Sequence, residues 1–255
     1  MPRFFISHEP ELYETVIISG DDARHIVRVL RLKEGDSLKL SDGKNTEIIV
    51  IMEDVDYKNL KIKARVIEKN KMEGVSPAVT LFQGVPKGDR FDLIVQKNTE
   101  IGVSRFVPVI TQRTVVELSG EKPARRRERW QRIAREAAKQ CMRLDIPEVS
   151  TPVDFEKSLE EIKFHQLAVV PWEEEKSASL RELLQSLGKK NISKIAVYIG
   201  PEGGFSKEEV EKAKKAGAFT VSLGPRILRT ETAGIVVCSI LMYALGDLGG
   251  LKCRK

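Results

Sequence analysis

The chain has 255 residues, enough for one large domain or two modest ones. Apolar residues make up 41% and charged residues 31%, which excludes a wholly disordered or collagen-like chain and leaves a well-solvated globular protein. The 43 basic and 37 acidic side chains leave +6, too little alone to identify a nucleic acid as the partner.

Three cysteines (Cys141, Cys238, Cys253) form no CxxC pair, so a disulfide framework is not expected and a reducing, cytoplasmic setting is. Nothing after Met1-Pro2-Arg3 reads as a secretory signal. The longest largely apolar run, Ala233 to Leu245, is 13 residues and contains Gly234 and Ser239. A membrane crossing needs about 20, so the run predicts a buried helix and no membrane partner.

Residues 1–70 read as β-rich. Thr15–Ile18, Ser37–Leu40, Glu47–Met52 and Leu60–Ile67 alternate or cluster β-branched residues, and Asp42-Gly43 is a hairpin turn signal. One helix interrupts them, Asp21–Arg31. Ala23, Ile26, Val27 and Leu30 share its inner face, and Arg24, Arg28 and Arg31 lie opposite. Short strands around one helix predict a small barrel. The polar stretch Glu68–Ser76 stops before Pro77 and predicts a linker, giving domains at 1–72 and 73–255.

From Ala78 the rhythm becomes strand then helix. Strands are expected at Val79–Gln83, Phe106–Ile110, Leu167–Val170, Ile195–Ile199 and Phe219–Leu223. Helices are expected at Asp89–Ile101 (closed by Gly102), Leu180–Leu187, Lys207–Ala216 and from about Thr232. This alternation predicts an α/β domain with a mostly parallel sheet covered by helices.

Charge is uneven along the chain. Residues 1–72 hold 13 basic and 13 acidic side chains, whereas residues 120–147 hold nine basic and four acidic. Pro123 suits a first helical turn there, and Trp130, Ile133, Ala134, Ala137, Cys141 and Leu144 recur at helical spacing. Arg125, Arg129, Arg132, Glu136, Lys139, Gln140 and Arg143 take the other side. Either a solvated face or an anion-binding surface accounts for this, and the preference for arginine, whose planar fork suits phosphate, raises the second. Two basic helices in separate parts of the chain suit one extended polyanion.

Three successive predicted strands run into proline-containing loops: Val170-Pro171-Trp172-Glu173, Gly200-Pro201-Glu202-Gly203-Gly204-Phe205 and Ser222 to Thr232. Parallel sheets bind ligands outside the carboxyl ends of their strands, and glycine there lets a flat ligand approach the main chain. Ser206 and Glu209 form a capping box after the second loop, and Gly217 closes that helix. No dinucleotide fingerprint, P-loop or nucleophile elbow occurs. His8, His25 and His165 are too scattered for a metal site, so no metal is expected.

Ile199-Gly200-Pro201-Glu202-Gly203-Gly204-Phe205, followed by Leu223-Gly224-Pro225-Arg226-Ile227-Leu228-Arg229-Thr230-Glu231-Thr232-Ala233, resembles the RsmE-type SPOUT methyltransferases. These act on uridine N3 of 16S ribosomal RNA with S-adenosylmethionine. The resemblance extends over Arg3-Phe4-Phe5, His25 to Arg31, Gly35-Asp36, Gln96 to Val103 and Glu136 to Pro147. Asn98 departs from it where the family more often has a small residue, and Cys141-Met142 where serine-glycine is common.

The resemblance implies a PUA-like N-terminal barrel, a C-terminal domain with a trefoil knot, a homodimer, and ribosomal RNA of the small subunit as partner. It implies a cofactor pocket of Val170 and Pro171, of Gly200, Pro201, Glu202, Gly203 and Gly204, of Ser222, Leu223 and Gly224, and of Ile227, Leu228, Arg229, Thr232 and Ala233. N3 methylation removes an imide proton and builds negative charge on the base. Arg229 is expected to stabilise that charge, and Glu231 and Glu100 are both candidates for taking the proton. RNA contacts are expected from Arg3, Arg24, Arg28, Arg31, Lys97, Arg125, Arg129, Arg132, Gln140 and Arg143. The alternatives are a non-catalytic RNA-binding assembly factor and a ribose 2'-O-methyltransferase of transfer RNA.

Overall fold

Residues 3–74, 77–115, 122–188, 191–246 and 248–250 are described in the computed structural model. They fall into two units: Met1–Gly74 with Ala138–Ile146, and Val75–Ala137 with Pro147–Lys255.

In the first unit the elements are β1 (Arg3–Phe5), β2 (Thr15–Ser19), α1 (Gly20–Arg24) running into a π turn (His25–Val29), β3 (Ser37–Ser41), β4 (Thr46–Asp56) and β5 (Lys61–Lys71). One sheet results, ordered β1-β3-β4-β5-β2, antiparallel except between β1 and β3. Alternation decides its faces: Val16, Ile18, Leu38, Leu40, Ile48, Val50, Ile62 and Ala64 point inward onto Ala23 and Ile26. Register shifts at Ile49/Val50 and Met52/Asp54 act as bulges that curl the sheet.

Three features differ from expectation. β1 is too short for a period to show. The expected 21–31 helix changes to a wider turn at His25 and ends at Arg31, whose φ of 56° is left-handed. The expected linker begins later, because Glu68 to Lys71 still pair with Ile49 to Thr46. Their charges face solvent, so polarity hid a strand. Residues 138–146 complete this unit: Ser41 Oγ donates to the Leu144 carbonyl at 2.6 Å, and the Ile146 N–H donates to the Gly43 carbonyl at 3.1 Å.

The second unit contains β6 (Ala78–Gly84), α2 (Arg90–Ile101), β7 (Arg105–Ile110), α3 (Lys122–Gln140), β8 (Glu148–Val149), β9 (Val153–Asp154) and α4 (Phe155–Leu159). It continues with β10 (Leu167–Pro171), α5 (Leu180–Leu187), β11 (Lys194–Ile199), α6 (Lys207–Lys215), β12 (Phe219–Val221) and α7 (Thr230–Leu245). The last residues of α3 belong to the first unit. The strand order is β12-β10-β11-β6-β7-β8, with β9 also on β7, and every pairing is parallel.

Both faces are covered, which explains near-continuous apolar strands. Val79, Leu81, Val169 and Val197 pack with Phe91 and Ile94 of α2, Trp130 of α3 and Val237 and Leu241 of α7. Phe82, Ala168, Val170 and Tyr198 face the opposite way, onto Phe155 of α4 and Val210 of α6. Gly102 closes α2 with a φ of 114°. Among the described residues no helix is long and apolar enough to cross a membrane.

His165 lies two residues before β10, its Nε2 3.2 Å from Thr80 Oγ1 and its Nδ1 2.9 Å from the Glu161 carbonyl. Burial pushes its pKa below the ordinary 6.5, outweighing the carbonyl contact that favours the proton. The native state therefore binds a proton less readily than the unfolded chain. Stability from this residue is full above about pH 6.5 and falls as pH drops toward the native value. Denaturant midpoints between pH 7 and 5 should decline in the parent and decline less in His165→Gln.

Candidate active site

β12, β10 and β11 are neighbours and parallel, so their carboxyl ends share one sheet edge. The loops leaving them enclose a cavity of about 410 Å³. Pro171, Trp172 and Glu173 line one side, and Ile199 to Phe205 except Gly203 line another. Ser222 to Glu231 and Ala233 form the third, and Arg90 at the start of α2 reaches in as well.

Local chemistry holds each loop. The Glu175 carboxylate accepts from the Ser177 hydroxyl at 2.5 Å and the Thr220 hydroxyl at 2.6 Å, tying the β10 loop to β12. Those bonds, the Ser177 one first, bring its pKa down to about 2. Ser206 caps α6 in the expected box with Glu209, and Glu209 also accepts from the Gln112 N–H at 2.9 Å.

The glycines of the β11 loop are a packing requirement. A Cβ on Gly200 would stand 2.8 to 2.9 Å from the backbone of Gly204 and Phe205. A Cβ on Gly84, at the end of β6, would stand 2.5 Å from Pro201 N. Glu202 accepts from the Lys87 N–H at 2.9 Å and pairs with Arg90. Burial alone would raise the Glu202 carboxyl, but the N–H groups of Glu202 and Lys87 and the Arg90 charge hold it below the usual carboxylate range.

Arg229 and Glu231 both line the cavity. Glu100 does not; it is exposed on α2, where Lys97 Nζ donates to it at 2.9 Å. Three expected cofactor residues also lie off the lining. Val170 is buried in the sheet, Thr232 is exposed on α7, and the Gly203 carbonyl accepts from Arg113 Nη1 at 2.6 Å. Trp172, Glu173, Phe205, Pro225, Arg226 and Thr230 line the cavity from within the quoted loops, though no residue pattern singled them out. Arg90 follows a different strand, and no local pattern points to it.

The basic residues divide. Arg24, Arg28 and Arg31 are exposed in the first unit, and Arg125, Arg129, Arg132 and Gln140 are exposed along α3. Arg129 is held by Asp89 at 3.0 Å and by Asp92, and the Asp92 contact does most to raise its pKa. The expectation of RNA contact fails at two positions. Arg143 is 3% exposed and paired with Asp145 at 2.5 Å. Arg3 is 8% exposed, paired with Glu47 at 2.5 Å and bonded to the Met142 carbonyl. Both are spent inside the fold, out of reach of a phosphate. Among the described residues no group of three or more His, Cys, Asp or Glu could hold a metal.

Comparison with known proteins fits this geometry. The family model for the RNA methyltransferase domain matches residues 75–242, and that for the RNA methyltransferase PUA domain matches residues 18–65. Ribosomal RNA small subunit methyltransferase E of Bacillus subtilis is 35% identical, covering 98% of this chain and 99% of that protein. A methyltransferase from Legionella pneumophila, solved with S-adenosylmethionine bound, is 33% identical with a TM-score of 0.83, covering 96% of this chain and 98% of its own. The ribosomal RNA small subunit methyltransferase E of Neisseria gonorrhoeae, also solved with S-adenosylmethionine, is 28% identical with a TM-score of 0.84, covering 97% of this chain and 99% of its own. A parallel sheet whose adjacent proline loops close on one cavity, together with these likenesses along the chain, makes this protein a member of the ribosomal RNA small subunit methyltransferase E family.

Proposed function

We propose that the protein methylates N3 of a uridine in the decoding region of 16S ribosomal RNA, using S-adenosylmethionine. The observation that carries this reading is the cavity itself, where Arg229 and Glu231 share a wall with the glycine-proline loops. Its residues suit the cofactor. Ile199, Leu223 and Leu228 offer apolar surface to a flat base, and Glu173 places a carboxylate beside a cationic ligand. Arg226 offers charge to a carboxylate.

When bound, S-adenosylmethionine supplies a methyl group already activated by its sulfonium charge. The protein contributes orientation, which can be worth about 7–11 kcal/mol in well-aligned cases, and help with one proton. Arg229 stabilises the negative charge that develops on the base oxygens. Glu231 is favoured over Glu100 for the proton because it lines the cavity. Labelled methyl transfer to small subunits from a strain lacking this activity, followed by mass mapping, tests the reading. A ribose-methylated product, or none, overturns it.

The same reading takes residues 1–72 as a PUA-like RNA-binding domain and 73–255 as the methyltransferase domain, with the three loops as a trefoil knot. It takes the working form as a cytoplasmic homodimer. Leu93 on α2 and Ile240 and Tyr243 on α7 are 42%, 38% and 73% exposed, an apolar face that a second copy would cover.

RNA is guided by the outer face of α3 and by Arg24, Arg28 and Arg31. Replacing Arg125, Arg129 and Arg132 by glutamine should weaken RNA binding at every sequence. The slope of log affinity against log salt should fall by about 0.9 for each phosphate contact that these substitutions remove. Filter binding at four salt concentrations measures it. An unchanged slope makes this face plain solvated surface.

A further inference from the structure

Beneath the cavity, β6 delivers Gln83 into a wholly buried position. Its Nε2 donates to Thr230 Oγ1 at 2.9 Å and to the Gly84 carbonyl at 3.1 Å, and reaches the Gly200 carbonyl at 3.4 Å. Thr230 Oγ1 donates to that same Gly200 carbonyl at 2.5 Å. Carbonyls only accept, so these partners fix which end of the amide faces them. Oε1 is thereby turned toward α7. A Cβ on Gly234 would stand 3.4 Å from Gln83 Oε1 and 3.7 Å from Asn98 Nδ2.

On that side the balance is poor. Gln83 Oε1 and Asn98 Oδ1 are buried with no hydrogen-bond partner among the described residues. An unpaired buried oxygen destabilises a core, and an apolar side chain of similar shape would fill this space at less cost. The benefit of a glutamine therefore lies at its other end. That end grips Gly200 and Thr230, which line the cavity from the β11 loop and from the first residue of α7. Arg229 stands at the N-cap position of α7, immediately before Thr230.

We infer that Gln83 is a positioning residue which, with Thr230, clasps the β11 loop to the start of α7 and so sets the gap that receives the methyl donor. The inference rests on the methyltransferase reading. Gln83 does not line the cavity and acts only through Gly200 and Thr230. Its departure from an apolar core is a matter of site geometry bought with core stability.

The test uses the full chain and S-adenosylmethionine, with binding measured by calorimetry and folding by thermal melting without ligand. Gln83→Met keeps the length and removes both the donor and the stranded oxygen. Affinity should fall at least tenfold while the melting temperature holds or rises, a divergence that a merely structural glutamine would not give. Thr230→Val should also lose at least tenfold, and Thr230→Ser, which restores the hydroxyl, should return to within twofold of the parent. Combining Gln83→Met with Thr230→Val should cost little more than the worse single change, since both undo one clasp. If the parent binds and Gln83→Met binds within twofold of it, the clasp is refuted and the methyltransferase reading stands. A parent chain that binds no donor overturns both. Should Gln83→Met fail to fold, the Thr230 pair decides, and equal behaviour of valine and serine refutes the clasp.

Discussion

Arg229→Ala is expected to lower the rate of methyl transfer by roughly 10²–10³, the usual consequence of removing one preorganised donor from developing charge. The side chain lines the cavity but is exposed enough to meet an incoming base. Its removal leaves the glycine-proline bends intact, so donor affinity should change by only a few fold. Single-turnover transfer to small subunits gives the first quantity and calorimetry the second. A variant with full turnover removes Arg229 from the chemistry. Glu231→Gln in the same assay sorts the proton acceptor, since general-base help is worth typically 10²–10⁴. Equal loss in Glu100→Gln, whose carboxylate is occupied by Lys97, would reverse the preference for Glu231.

Gly200→Ala should abolish donor binding by a different route. The added methyl meets Gly204 C at 2.8 Å and Gly204 Cα and Phe205 N at 2.9 Å, all backbone atoms that no rotamer change can move. Overpacking of this kind typically costs about 1–3 kcal/mol, and in a domain of this size each kcal/mol lowers the melting temperature by about 2–4 °C. The loop must open to accept the methyl, so the cavity wall moves with it. Gly188→Ala, at the end of α5 and off the cavity lining, is the control of opposite character. A Cβ there meets nothing within 4 Å, but its φ of 56° strains any L-residue. Alanine at Gly188 should cost stability through the backbone alone. Comparable donor affinity in the two variants would show that crowding at Gly200 is unimportant.

The sheet was legible because every central strand is buried on both sides. Leu81-Phe82 and Val197-Tyr198 send neighbouring residues into opposite cores, so each strand reads as an unbroken apolar run. The short pieces β1, β8 and β9, and the single turn of α4, hold too few residues for any period. Loop chemistry exposed most of the cavity, since proline and glycine mark irregular backbone at the strand ends. Arg90 and Gln83 stayed hidden for a different reason. Gln83 lies on the central strand β6 and Arg90 follows it, and pairing of β6 with β11 sets Gln83 opposite Ile199, the residue before Gly200. The arginines divided by burial: spacing placed Arg143 on a charged face, but the chain turns after α3, and Asp145 takes its guanidinium inward.

The first unit is discontinuous, borrowing residues 138–146 from far along the chain. A fragment cut at residue 74 would therefore lack the strap that engages Ser41, Gly43 and Arg3, and would leave the Arg3 guanidinium and the Ser41 hydroxyl without those partners. During synthesis the amino-terminal unit must wait for more than half of the polypeptide to leave the ribosome before it can close. The unit that carries the PUA match is thus finished only after residues 75–137 of the other unit have been made.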